Sequence, residues 1–168
     1  MKIRRLGPID AEAAHALRLR ALSESPEAFG TTYEEYAALP KSEILRRYEA
    51  HHDSFTLGAF EGGSLVGVVN FSREKRAKTR HKGYMAGMFV AIEARGKGVG
   101  RSLVLALIDE VKALDGVEQI GLHVLSATKA ARSLYLSLGF EICGLERNAD
   151  KAGDMYYDSE FMVLFLAP

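Results

Sequence analysis

The stretch that most constrains this chain runs from Met88 to Leu103: Met-Phe-Val-Ala-Ile-Glu-Ala-Arg-Gly-Lys-Gly-Val-Gly-Arg-Ser-Leu. It opens as an apolar, strand-like run, Met88 to Ile92, and turns through glycines at 96, 98 and 100. An apolar stripe follows at Val99, Leu103, Leu107, Val111 and Leu114, whose spacing of three and four is that of a helix. A strand that turns through glycines straight into a helix presents a row of bare backbone N–H groups. The first amides of a helix have no partner inside it, and the helix dipole adds partial positive charge there. Glycine removes Cβ atoms that would block an anion and permits φ > 0. Arg95, Lys97 and Arg101 add cationic side chains. The loop therefore reads as a cradle for a phosphorylated ligand. It is not a Walker A loop, which requires Gly, four residues, then Gly-Lys-Ser/Thr. Nor is it the dinucleotide fingerprint, because Arg101 stands where the third glycine belongs.

Around this stretch the chain reads as α+β. Lys2 to Leu6 is an opening strand, broken by Gly7-Pro8. Asp10 caps a helix with apolar positions Ala14, Leu17, Ala21 and Leu22, and Pro26 ends it. A shorter helix is expected within Glu27 to Leu39, with Phe29, Tyr33 and Tyr36 at helical spacing, and another from a Ser42 cap through Ala50. Ser54–Phe60 and Ser64–Ser72 flank the turn Glu61-Gly62-Gly63 and form a hairpin. Arg80 to Ile92 is a long strand in which Gly83 and Gly87 signal a bulge or a close backbone approach. After the 99–114 helix come a strand (Val117–Val124), a helix (Ala127–Leu138) and the final strands Phe140–Leu145 and Met155–Leu166, joined by the polar segment Glu146–Asp154. Helices early, then an antiparallel run, then strand–helix–strand–helix–strand argue for a mixed sheet in one domain over residues 1–168.

Charge and composition narrow the function classes. Twenty-two basic residues balance 22 acidic ones, so net charge points to neither nucleic acid nor membrane. The local basic run Arg73–Lys82 reads as a solvated hairpin loop. No run approaches the roughly 20 apolar residues of a membrane helix, and a signal peptide is not evident, so a cytoplasmic protein is expected. The single cysteine, Cys143, excludes an intrachain disulfide and a cysteine-rich metal site; it reads as a small buried side chain in a strand. No metal is expected.

A second motif, Ala131-Arg-Ser-Leu-Tyr-Leu-Ser-Leu-Gly-Phe140, lies downstream. Arg95-x-x-Gly98-x-Gly100 matches the Arg/Gln-x-x-Gly-x-Gly/Ala signature of the GCN5-related N-acetyltransferases (GNAT), and the Ala131 to Phe140 run resembles that family's second signature. The resemblance covers roughly Leu57 to Leu166; the first fifty residues are similar only in layout. It implies a GNAT-type mixed, mostly antiparallel twisted sheet with splayed parallel central strands, flanked by helices, and acetyl-CoA as the cofactor. The cofactor would lie between Met85–Ala91 and Ile120–Val124. Its pantetheine arm would pair with the backbone around Phe89, at Met88 and Val90. Its pyrophosphate would sit on the amides of Arg95, Gly96, Lys97, Gly98, Val99, Gly100, Arg101 and Ser102. Thr128 and Ala131 would contact it from the second helix. In that helix the family's opening Asn is Thr128, whose hydroxyl retains the ability to cap.

The resemblance also implies catalytic roles. Tyr135 stands where the family's general acid stands and would protonate the departing thiolate; on pattern alone it reads as a core tyrosine. A free amine is mostly protonated near pH 7, so a base must act. His123, where related N-terminal acetyltransferases carry Glu, is the candidate, balanced against a strand histidine with no role. Glu34, Glu35 and His81 are further candidates. The expected reaction is direct transfer to a primary amine of a small molecule or amino acid. A protein N-terminus or lysine, or a non-catalytic acyl-CoA sensor, is the alternative. Homodimers are common among such enzymes.

Overall fold

The computed structural model describes residues 1–49 and 51–166. In chain order the elements are β1 (Lys2–Arg5), α1 (Ala11–Glu24), α2 (Tyr33–Ala37), α3 (Lys41–Arg46), β2 (Ser54–Glu61), β3 (Ser64–Arg73), β4 (Lys82–Val90), α4 (Val99–Lys112), β5 (Gln119–Leu125), α5 (Lys129–Ser137), β6 (Glu141–Ala152) and β7 (Met155–Phe165). Among the described residues seven strands form one sheet in the order β1-β2-β3-β4-β5-β7-β6. Every neighbouring pair is antiparallel except β4 with β5. This is the mixed sheet with parallel central strands that the sequence implied.

Helices cover both faces. On one, Val99, Leu103, Val104, Leu107, Ile108 and Val111 of α4 are buried against Leu57, Val69, Phe71, Met85, Ile120 and Leu122. Each such side chain stabilises by about 1.5–3 kcal/mol when buried. Intrinsic helix preference differs by at most about 0.7 kcal/mol per ordinary residue, so packing decides that α4 is a helix. On the other face Ala14, Leu17 and Ala21 of α1 pack with Leu6, Val68, Phe89 and Ala91.

Met85 and Phe89 are four residues apart on β4, yet Met85 lies in the α4-side core and Phe89 in the α1-side core. A regular strand, with side chains alternating at period two, would put both on one face. The parity changes at Gly87. Val68 pairs with Phe89 and Asn70 with Ala86, so Val69 opposes two residues of β4. Gly87 sits at φ +63°, the left-handed backbone of a bulge. Gly83 serves the other expected purpose: a Cβ there would run into the ring of Phe71.

Four expectations are corrected. The shorter helix expected within Glu27 to Leu39 is α2, which takes in Tyr33 and Tyr36 but not Phe29, because Thr32 and Glu35 form a reciprocal capping box (Glu35 N–H to Thr32 Oγ1, 3.2 Å; Thr32 N–H to Glu35 Oε2, 2.9 Å) that fixes its start at Tyr33. α3 begins at Lys41, not after a Ser42 cap, because the Pro40 carbonyl accepts from Glu43 and Ile44; it ends at Arg46, and Ala50 lies outside the described residues. The polar segment 146–154 is mostly strand: β6 runs to Ala152, paired with β7 through Ala152↔Met155. Cys143 is exposed, because β6 is the sheet's edge and solvent reaches both its faces. Among the described residues no helix is long and apolar enough to cross a membrane.

The Gly87 bulge makes a stability prediction. A Cβ there would meet Asn70 Nδ2 at 2.6 Å in a conformation that costs an L-residue about 1–2 kcal/mol. Gly87→Ala should lower unfolding free energy by at least about that amount in urea titration. An unchanged midpoint would show that the bulge does not need a positive φ.

Candidate active site

β4 and β5 pair only through Lys82↔Gln119, Gly83↔Ile120 and Tyr84↔Gly121. At the last pair the Tyr84 ring lies over Gly121, where a Cβ would sit 2.9 Å from Tyr84 Cε1 and 3.0 Å from Phe161 Cε2. Beyond it each strand follows its outer neighbour: β4 stays with β3 to Val90↔Gly67, and β5 with β7 to Leu125↔Ser159. A gap opens between them. Ala91 N–H donates to Val66 O of β3 at 2.9 Å, so alternation turns the backbones of Val90 and Met88 toward the gap, where β5 no longer reaches them. The backbone of Phe89 faces β3, and its ring lies in the α1-side core.

At the end of β4 a turn at Ile92–Ala94 leads into the glycine loop. Gly96 and Gly98 have φ of +74° and +78°, and a Cβ on either would meet no protein atom within 4 Å. The first helical bond of α4 is Ser102 N–H to Gly98 O. Among the described residues the amides from Gly96 to Arg101 donate to no backbone carbonyl. This is the unfilled donor row that an anion requires. Gly100 lets α4 approach β4 and α5, since its Cβ would lie 3.1 Å from Met88 Cε and 3.6 Å from Leu134 Cδ2.

The cationic side chains of the loop have protein partners. Arg95 Nε donates to Val90 O at 2.8 Å, Lys97 Nζ is 3.8 Å from Glu61, and Arg101 donates to Ser137 Oγ of α5 at 2.9 Å. α1 is tied to the same turn by Arg20, which grips both carboxylate oxygens of Glu93 at 2.7 and 2.6 Å and holds its carboxyl down to about 2. These groups are exposed, so the contacts fix geometry more than stability.

A cavity of about 560 Å³ occupies the gap. Met88, His123, Thr128, Ala131 and Tyr135, proposed from the sequence, all line it. Tyr135 is only 5% exposed and packs beside Phe140; burial pushes its phenol up to about 12. Leu122 and Val124 point into the α4-side core. Alternation therefore sends His123 to the opposite face of β5, where its ring lies 5.0 Å from that of Phe161. The two side chains reach one cavity from the two faces of the sheet. Thr128 holds the N-cap position of α5, but its side chain makes no capping bond, contrary to expectation. Its φ and ψ of −83° and 70° depart from the extended backbone from which a capping hydroxyl reaches forward.

The other candidate bases are elsewhere. Glu35 is held in the α2 cap, Glu34 lines the neighbouring cavity, and His81 precedes β4, its carbonyl accepting from Glu118. Arg18, Tyr84 and Ser159, which also line the gap cavity, were not anticipated. Arg18 had a legible signal: it stands four residues from each of the buried Ala14 and Leu22, a charge inside an apolar stripe.

The acetyltransferase (GNAT) family matches residues 18–140. The chain belongs to this family. Acetyl-CoA is the acetyl donor that membership implies. N-alpha-acetyltransferase 30 of Schizosaccharomyces pombe is 30% identical over 102 residues, 60% of this chain and 67% of that protein. The mycothiol acetyltransferase of Thermobispora bispora is 35% identical over 137 residues, 78% of this chain; the chain spans 43% of that relative's length. In fold, the GNAT enzyme is similar to yncA, a putative acetyltransferase of Salmonella typhimurium solved with its cofactor acetyl-CoA. The TM-score is 0.87 at 24% identity, over 100% of this chain and 95% of that one.

The burial of Tyr135 predicts a late ionisation. At pH 10, where an ordinary phenol is about half ionised, Tyr135→Phe should leave tyrosinate absorbance unchanged. A lower absorbance in the variant at that pH would show an ordinary, solvated phenol.

Proposed function

We propose that this GNAT enzyme acetylates the primary amine of a small molecule or amino acid by direct transfer in a ternary complex. The observation that carries the reading is that Tyr135 and His123, from opposite faces of the sheet, line one cavity together with Met88. Acetyl-CoA supplies the acetyl group as an activated thioester. The residues fit it: the amides from Gly96 to Arg101 form an unfilled donor row for a pyrophosphate, and Met88 and the Val90 N–H offer backbone groups without a strand partner for a pantetheine arm, the Val90 carbonyl being held by Arg95. Ser102, Thr128 and Ala131 would wall it.

Chemistry is then divided among side chains. The buried Tyr135 phenol keeps its proton at neutral pH and holds it for the sulfur that leaves. His123 takes the proton that the acceptor amine must lose, directly or through water. The Val90 N–H polarises the thioester carbonyl from a fixed position. Cys143 lies on the edge strand β6 and does not line the cavity, which favours direct transfer over a covalent thiol route.

A protein N-terminus is the second reading, and the name of the fission yeast relative favours it. Against it, the 26–34 segment and the β6–β7 hairpin face each other: Phe29, Gly30 and Asp150 line both the gap cavity and its neighbour of about 680 Å³. Two segments flanking the approach in this way narrow it, which favours a small acceptor over an extended chain.

Thiol release across amines, amino acids and peptides tests the reading, with acetyl-CoA binding followed by thermal shift. Tyr135→Phe should lower kcat by about 10²–10⁴-fold while the acetyl-CoA-induced shift stays the same. Unchanged turnover would assign the proton to another group. His123→Ala should lower kcat while the acetyl-CoA-induced shift stays the same, and unchanged turnover would clear His123 of the role. A protein stabilised by acetyl-CoA that acetylates no acceptor would instead be a sensor.

A further inference from the structure

We propose that Arg18 is the acceptor-recognition residue, and that its guanidinium binds a carboxylate carried by the amine substrate. The inference rests on the proposed transfer, with the donor in the part of the cavity beside Met88, Thr128 and Ala131 and the acceptor in the part beside Arg18, Phe29 and Asp150. Arg18 leaves α1 from its apolar side, between Ala14 and Leu22, and lines the cavity. Its guanidinium lies 4.2 Å from the Phe29 ring centre and 5.9 Å from that of Tyr36. Nη1 is buried and has no hydrogen-bond partner. It reaches to within 3.4 Å of where a Gly87 Cβ would be, so the bulge that turns Met88 into the gap also makes room for this cation.

The other arginines of the region are spoken for: Arg4, Arg20, Arg95 and Arg132 donate to Asp10, Glu24 and Glu93, the Val90 carbonyl, and Glu160 respectively. Arg18 makes no ion pair among the described residues. A guanidinium does not give up its proton, and stacking on an aromatic ring offsets only part of the loss of water. Desolvation accordingly pulls its pKa down. A planar fork of donors that makes no hydrogen bond or ion pair among the described residues matches a carboxylate bidentately. Among the described lining residues Asp150 is the one carboxylate, and it is not within ion-pair distance of Arg18. A cation and an anion held apart in one cavity suit a substrate with both an ammonium and a carboxylate, as an α-amino acid has.

Calorimetric titration of the protein saturated with CoA tests the proposal, using the L-amino acids and their carboxamides as matched pairs. At least one free acid should bind roughly ten- to hundred-fold tighter than its amide. Arg18→Met should remove that preference and Arg18→Lys restore only part of it, while the acetyl-CoA thermal shift is retained in both. Equal binding of acid and amide, no acid bound, or a preference that survives in Arg18→Met would overturn the proposal. Thiol release with the same acids reads the transferase assignment separately. An acid held through Arg18 but never acetylated leaves the anion site standing and removes the proposed reaction.

Discussion

Two strands that pair for three residues and then part determine everything else at this site. Among the described residues β4 and β5 are the one parallel pair of the sheet, and parallel neighbours cannot be joined by a tight turn. Here α4 makes the crossover, so the anion-binding loop at its start lies at the open end of the gap. The separation is built in from both sides. Tyr84 over Gly121 marks the last contact, and the outer partners β3 and β7 hold each strand on its own course. A closed sheet would satisfy the Met88 and Val90 backbone internally and leave no place for an extended ligand.

The Gly87 bulge is the second constraint. By changing the parity of β4 it lets Met85 and Phe89 fill opposite cores. It also sets Met88 and Val90 against Gly100 of α4, so strand, loop and helix form one continuous wall. The loop is then fastened at several points: Arg95 to the Val90 carbonyl, Arg101 to Ser137, and Glu93 to Arg20 of α1. None of these contacts is strong alone, because the groups are exposed. Their common effect is to leave the loop amides bare and fixed, the arrangement that makes a donor row useful without reorganisation.

How far the sequence could be read follows from which interactions are local. The glycine loop, the α4 stripe, the β2–β3 turn and the bulge at Gly87 were legible, because each depends on spacing or on backbone freedom at a named residue. The cavity-lining positions Met88, His123, Thr128, Ala131 and Tyr135 were placed through the family resemblance. Three features were hidden because distant partners decide them. β6 continues beyond Leu145 only because β7 is beside it, and Cys143 is exposed because β6 lies at the edge of the sheet. The Arg95 side chain, readable as a phosphate ligand, is instead turned back to Val90. Arg18 sits between these cases: its place in an apolar stripe was visible, but its lack of a partner required the fold.

The gap between β4 and β5 as the seat of the donor is tested most directly by amide hydrogen exchange with and without acetyl-CoA. Saturating acetyl-CoA should slow exchange at Met88 and Val90 and from Gly96 to Arg101, with little change in β1, β2 or the outer edge of β6. Protection absent from Met88 and Val90, or confined to another surface, would contradict a donor held between the splayed strands.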